Sequence, residues 1–450
     1  MSWHDRYGPI VRLAPGVCSI SSPDRTVYSE QTRCTKSDFY SAFGPPGRST
    51  LFAESDMKKH RRERKSLAPL FSTTAIVEKY SGGIDDCNKL FLQQLDRYDD
   101  KIIDMKHWLE CWAGDIGSQV TFGKRIGFLD EREDVGHLLR AKASVLRYGS
   151  IVGIYPRIHP YVHALMAWWR GSKPIWLAYV LEFTKSRMAE LQYQKHDLDG
   201  SNKDSTTGCL LGGMLAVHEK VSDHASIGGM RTDPLVFVFA GLGGLATTMS
   251  TTLFYLYQHP QCLSKLRQEM DTAGREGHSG IKSASHQLFT YKHGINMPYL
   301  DAVIKESARI SPPNGAPLWR VLPEEGAIVH GHFLPGGSVV GSNLWVAHYN
   351  KNVYGADVQD FRPERWIQPP GEALSHMNQN LMMFGLGPRT CLGKNLACLE
   401  VSKLLSVVVR RFDLQPIHPT LEIESDFVAK ARNHEVLVSR IAEKLRTSCE

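Results

Sequence analysis

Phe384-Gly385-Leu386-Gly387-Pro388-Arg389-Thr390-Cys391-Leu392-Gly393 sets one cysteine just past a turn built from Gly385, Gly387 and Pro388. Residues 392–405 follow with an amphipathic spacing that predicts a helix. At such a helix start, the free N–H groups and the dipole are expected to lower a thiol's pKa. Glycines let the backbone come close to a flat ligand. With Phe384 to pack on a ring and Arg389 to meet an acid, a thiolate at Cys391 suits haem iron. A cysteinate pushes electron density onto that iron and favours O–O cleavage. A buried free cysteine capping a helix is the plainer reading of a lone thiol. The full spacing F-x-x-G-x-R-x-C-x-G, closed by Gly393, favours the haem reading.

The chain around this loop has 450 residues, 42% hydrophobic and 22% charged, an ordinary globular composition. No long Pro-, Gly- or Ser-rich linker divides it, so residues 1–450 are read as a single domain. The net charge of +6 is too modest to indicate nucleic-acid binding. Nine cysteines are scattered without pairing spacings or a C-x-x-C, which favours a reducing compartment. Met1 to Tyr7 carry no apolar core of a signal peptide. The uncharged run from Pro234 to Gln258 is long enough to cross a membrane. Its second half, however, holds Thr247, Thr248, Ser250, Thr251 and Thr252, so a helix buried in a soluble core is preferred.

In chain order, Ile10–Ala14 and Val17–Ile20 flank Pro15-Gly16 and predict a β-hairpin. Residues 41–55 read as a loop, and Met57 to Phe71 as a densely basic helix with a solvated face. His60 and Arg64, four apart, share one side of it. Trp168, Trp169 and Trp176 lie in an apolar stretch over 161–181; core packing is preferred there to a substrate entrance or a membrane contact. Asp197 to Gly208 reads as a surface loop. Asp233-Pro234 is expected to open a central helix as N-cap and first residue, with Pro260 closing it after about 39 Å. Gly241, Gly243 and Gly244 within it cost roughly 2–3 kcal/mol against alanine. A groove over a ligand, or close helix packing, would offset that cost. A further helix over 298–309 contains Glu306-x-x-Arg309 and is followed by Pro363-Glu364-Arg365. His348 is read as a buried hydrogen-bonding residue, Val407 to Phe412 as the end of the last helix, and residues 413–441 as short strands.

The cysteine loop, Glu306-x-x-Arg309 and Pro363-Glu364-Arg365 together resemble the cytochrome P-450 family, and the resemblance covers Tyr7 to about Ile441. The local pattern is similar to the fungal group that includes pisatin demethylase and benzoate hydroxylase. The resemblance implies the cytochrome P-450 fold, mainly α with a small β region. It implies haem b with Cys391 as axial ligand, bound with the help of Phe384 and Gly393. His60, Arg64, Arg320 and Arg389 would meet the propionates, with His60 where the family usually has Trp. Glu306, Arg309 and Arg365 would form a buried charge network behind the loop. The implied activity is a monooxygenase acting on an apolar small molecule of fungal secondary metabolism. Its electrons would come from NADPH-cytochrome P-450 reductase, with cytochrome b5 as an additional donor. Cytoplasmic exposure at the endoplasmic reticulum surface is implied as well. Eukaryotic members usually carry an apolar anchor and a Pro-rich hinge before the segment matching Tyr7, and this sequence starts after both, so peripheral membrane contact at most is expected, and a monomer.

The family pattern A-G-x-D/E-T-T breaks at its acid and alcohol positions, which hold Gly243 and Gly244. Proton delivery by general acid catalysis needs a positioned donor. Thr247 is the candidate to hold a water in its place. Rearranging or peroxide-using chemistry, and a catalytically silent haem-binding protein, are the competing readings.

Overall fold

The structure, a computed structural model, describes residues 2–29, 31, 33–170, 175–197, 208–220, 226–276, 297–368 and 370–441. The helices that frame the site are α1 (Met57–Leu67), α2 (Ser81–Asp96), α3 (Met105–Phe122), α4 (Leu138–Val152), α5 (His159–Arg170), α6 (Ser226–Gln258), α7 (Pro260–Glu276), α8 (Pro298–Ile310) and α9 (Lys394–Arg411). The strands are short: β1 (Ile10–Ala14), β2 (Val17–Ile20), β3 (Thr35–Lys36), β4 (Lys101–Asp104), β5 (Arg320–Val321), β6 (Ala327–Val329), β7 (His332–Leu334), β8 (Val339–Ser342), β9 (Phe412–Pro416), β10 (Ile423–Ser425), β11 (Ala429–Ala431) and β12 (Glu435–Arg440). This is the expected mainly α fold with a small β region. Asp197 to Gly208 lies largely outside the described residues, as does Cys449.

α6 is the axis. It begins at Ser226, seven residues before Asp233, so Asp233-Pro234 lies inside the helix and does not cap it. A proline inside a helix removes one hydrogen bond near its own turn. Thirty-three residues packed along most of their length absorb that loss. α3 runs against α6, and both bury apolar side chains into one core with α2, α8 and α9. Trp112 of α3 is fully buried and donates its Nε1–H to Asn88 Oδ1 of α2 at 2.8 Å. Burying one large apolar side chain contributes about 1.5–3 kcal/mol.

Four buried hydroxyls of α6 are satisfied within the chain, which suits this long apolar helix to a protein core. Thr247 Oγ1 donates to the Ala429 carbonyl at 2.6 Å, and Ser250 Oγ pairs with His434 Nδ1 at 2.6 Å. Thr251 and Thr252 donate back to helical carbonyls at 3.0 and 2.7 Å. The window Val236–Gln258 has the length and apolarity of a membrane span, but 67% of it is buried.

Five strands form one sheet in the order β1-β2-β8-β5-β3. The predicted hairpin is present, with Gly16 at φ +70 in its turn. β2 pairs with β8 in parallel, while β5 is antiparallel to both β8 and β3. That register sets Arg320 directly opposite Lys36. Like charges facing across a strand pair are unfavourable unless something negative lies between them. A second sheet, β4-β12-β9, begins its last strand at Phe412, which therefore opens β9 instead of ending α9.

One expectation about surface changes. Trp168 and Trp169 are 79% and 83% exposed, so the core reading of that stretch fails; the Trp176 side chain lies outside the described ones. α5 shows solvent along nearly all of its described length because little else packs on it.

Candidate active site

The cysteine loop is built by its own backbone. Gly385 and Gly387 adopt φ +69 and φ +63, the left-handed region. A Cβ at Gly387 would stand 1.8 Å from the Tyr28 carbonyl oxygen, so this position admits glycine alone. Cys391 N–H donates to the Phe384 carbonyl at 2.8 Å and closes the loop, and Thr390 N–H donates to Gly387 at 3.0 Å. α9 then starts at Lys394 with Gly393 as its cap residue. The Phe384 ring is partly exposed and lies 5.9 Å from Lys394 Nζ.

Cys391 is accessible at its surface, yet burial raises its thiol pKa. The Gly393 N–H and the Arg64 guanidinium pull the other way and do not win. The expected lowering by the helix start is therefore overturned, because desolvation outweighs a few N–H dipoles. The sulfur keeps exposed surface within desolvating surroundings and needs a cationic partner to become a thiolate. A metal ion is such a partner.

Facing the loop is a cage of cations. Asp56 caps α1 by accepting from the N–H groups of Lys58 and Lys59 at 2.7 and 3.1 Å, which fixes the helix that carries His60 and Arg64. His60 is buried and its pKa falls to about 4, through burial first and then the charges of Arg389, Arg64 and Lys36. The other basic side chains Lys58, Arg61, Arg62 and Lys65 face solvent. Arg389 is pushed down to about 10 by burial and by Arg320. Its Nε and Nη1 are buried without a hydrogen-bond partner among the described residues. Arg320 donates to the Trp319 carbonyl at 2.9 Å and lies 5.3 Å over the Tyr28 ring.

Lys36 belongs to this cage, and the sequence reading missed it. It is buried, with Nζ 4.1 and 3.9 Å from the Tyr40 and Phe52 rings and donating to the Phe52 carbonyl at 2.5 Å. Burial and then Arg320 and Arg389 hold its pKa well below the usual lysine range. The neighbouring acid, Glu54, is bound to Lys59 at 2.5 Å. Lys36, Arg64, Arg320 and Arg389 thus converge with too little negative charge. A ligand with two carboxylates would complete the cage. The exposed face of Cys391 and the orphaned Arg389 nitrogens both fit haem.

Behind the loop, Glu306 accepts five hydrogen bonds. Arg309 holds it from Nε and Nη2, both at 2.8 Å, and Arg365 Nε adds a third at 3.2 Å. Trp366 Nε1 and the Arg362 N–H complete the set at 2.9 and 3.0 Å. Arg309 continues to the carbonyls of His348, Val358 and Asp360. Arg365 bonds to Asp357 and to the Tyr354 carbonyl. His348, buried as expected and held neutral with a pKa near 3 by burial, accepts from the Met382 N–H at 2.9 Å. Met382 in turn accepts from Gly385 at 2.8 Å. The network therefore reaches the turn of the cysteine loop. α8 is fixed from outside: Glu269 of α7 accepts from the Tyr299 and Leu300 N–H groups at 2.7 and 2.9 Å.

The glycines of α6 divide by face. Around Gly241 and Gly244 no other side chain lies within 4 Å of where a Cβ would stand, and Ala240 beside them is exposed. At Gly243 a Cβ would meet Val428 at 3.0 Å. Thr247 is on the side of Gly243 and commits its hydroxyl proton to Ala429, which leaves no free donor there. Its oxygen can still accept a hydrogen bond from a water, the part the sequence reading gives it.

The cytochrome P450 family profile matches residues 1–438. A cytochrome P450 monooxygenase of Aspergillus terreus is 31% identical over 425 residues, 91% of this chain and 84% of that protein. A pisatin demethylase of Fusarium vanettenii is 30% identical over 432 residues, covering 93% and 80%. A cytochrome P450 monooxygenase of Annulohypoxylon moriforme is 29% identical over 447 residues, covering 94% and 83%.

Proposed function

Because this chain belongs to the cytochrome P450 family of monooxygenases, we propose that it is a haem-thiolate oxygenase of fungal secondary metabolism acting on an apolar small molecule. The observation that carries the reading is the pairing of the exposed Cys391 with the anion-hungry cage of Lys36, Arg64, Arg320 and Arg389. Haem, when bound, supplies the redox chemistry that places one oxygen atom of dioxygen on a substrate. Cys391 would hold the iron. The cage neutralises the two propionates, with neutral His60 contributing a single ring N–H. The Glu306 network keeps the loop in shape, and open space at Ala240, Gly241 and Gly244 of α6 would leave room for a substrate.

Electrons come from an NADPH-dependent reductase, and the chain works as one domain at the endoplasmic reticulum surface. Peripheral contact is supported by α5 and the turn before it, where Tyr155, Ile158, Tyr161, Leu165, Trp168 and Trp169 are exposed. No Asp or Glu occurs between Asp134 and Glu182, against six Lys or Arg. Aromatic side chains and cations together suit an anionic lipid surface.

The test is Cys391→Ser, read by the reduced carbon monoxide spectrum. Loss of the thiolate-type Soret band is expected; its persistence would assign the iron to another residue. A second reading, with rearranging or peroxide-driven chemistry, is favoured by the side-chain-free pair Gly243 and Gly244. Product formed under isotopically labelled dioxygen separates the two: the first requires the label in the product, and the second does not.

A further inference from the structure

A groove of about 350 Å³ lies against α6 on the side of Gly243 and Thr247, walled by α3, α4 and the β10–β11 hairpin. It opens to solvent and has room for several waters, each taking about 30 Å³. At its floor sits Lys142 of α4, a buried lysine. Its Nζ donates to the Leu242 carbonyl of α6 at 3.4 Å and stands 3.8 Å from the Glu110 carboxylate of α3.

The charges around it are arranged to leave that pair to itself. On the hairpin, Lys430 and Arg432 are bound to Glu424 at 3.2 and 2.7 Å, and Asp426 lies 3.9 Å from Lys430. On the α4 side, Arg140 faces Asp134 at 3.7 Å. Lys106 of α3 and Arg147 of α4 complete the lining. Glu110 thus serves Lys142.

We propose that this groove is the chain's proton route to the glycine turn of α6, with Lys142 Nζ as the last side chain on it. The proposal rests on the haem-thiolate reading. The site stands where a carboxylate at position 243 would point, and it supplies from α4 the charged group that Gly243 lacks. At the Leu242 carbonyl the helix is bare: Gly241, Gly243 and Gly244 present no side chain to exclude water between its two faces. One proton leaves the Lys142 ammonium to that water, and one returns to the amine from the groove by way of Glu110. An N–H bond breaks as an O–H bond of the water forms, the reverse follows from the groove through Glu110, and the net change is one proton moved inward. Burial first, then Lys430 and Lys106, bring the Lys142 pKa down against Glu110 and Asp134, which makes release easier than from an exposed lysine.

The test compares wild type, Lys142→Arg and Lys142→Met after loading with haem and coupling to an NADPH-dependent reductase, without added substrate. Arginine keeps the cation and its hydrogen bonds but does not release a proton. Both variants are expected to divert electrons from water to peroxide, raising the peroxide share severalfold and removing the pH dependence of that share. A second readout needs no turnover: competitive acetylation across pH, followed by mass spectrometry. Lys142 is expected to reach half-reactivity at a lower pH than an exposed lysine such as Lys351. Wild-type behaviour of Lys142→Arg, or acetylation of Lys142 in step with Lys351, overturns the proposal. If Lys142→Met fails to retain haem, Glu110→Gln carries the same expectation. Absence of the thiolate-type carbon monoxide band in wild type would sink the haem reading instead, a failure the acetylation result keeps separate.

Discussion

Lys36 shows how far single residues could be read from the chain. Its role depends on a strand pairing with Arg320, which lies 284 positions away, and no local spacing announces it. Cys391, Gly387 and Arg389 were legible because one ten-residue loop carries them all. Even there the sign of the thiol shift was misjudged, since burial depends on distant chain. If the cage binds carboxylates, Lys36→Met and Arg64→Ala should each weaken haem retention by about 1.5–3 kcal/mol, the worth of a charge-assisted bond. That is roughly tenfold to a hundredfold in the dissociation constant. Transfer of haem to an excess of apomyoglobin measures it, and unchanged retention in both variants would count against the cage.

At the scale of elements, α6 was recognised from its apolar run, but its start was placed at Asp233-Pro234. A proline marks where a helix conveniently begins and does not forbid one from arriving earlier when packing favours it. The faces of its glycines were not legible at all, because they depend on Val428 of a hairpin far along the chain. They predict opposite outcomes for two neighbouring substitutions. Gly244→Ala has open space and should stabilise the haem-free protein by about 0.5–1 kcal/mol through helix propensity. Gly243→Ala must displace Val428 by a few tenths of an ångström and should gain less or lose. Denaturant midpoints of the two variants, side by side, decide it; equal gains would mean that the hairpin gives way freely. The same contact argues that Gly243→Asp needs a smaller residue at 428 before it can restore the usual acid.

For the whole molecule, buried histidines held neutral shape the response to acid, two of them most strongly. His348 and His434 are both held neutral by burial, with pKa values near 3, against about 6.5 in an unfolded chain. Between those values the unfolded chain binds more protons, so their contribution is full above pH 6.5 and is lost as pH falls towards 3. Glu400 acts in the opposite sense: burial lifts it to about 8, so its contribution is full below about 4.5 and fades as pH rises through 8. His434→Leu should flatten the acid limb by about 1.4 kcal/mol per pH unit, visible in unfolding midpoints taken from pH 7 to 4. An unchanged slope would mean that His434 already carries its proton in the native state. The exposed face of α5 makes a second prediction at this scale: sedimentation with phosphatidylserine vesicles, lost in a Trp168→Ser, Trp169→Ser double variant. Binding that survives the double change would place the contact elsewhere. The five bonds on Glu306 bear on how a cell makes this protein. All of its partners are the chain's own atoms, so the shape of the cysteine loop is set when synthesis ends and does not wait for a prosthetic group. Haem loading would then be docking onto a loop already in shape, so haem-free chain should fold first and gain the thiolate-type band when haem is added afterwards.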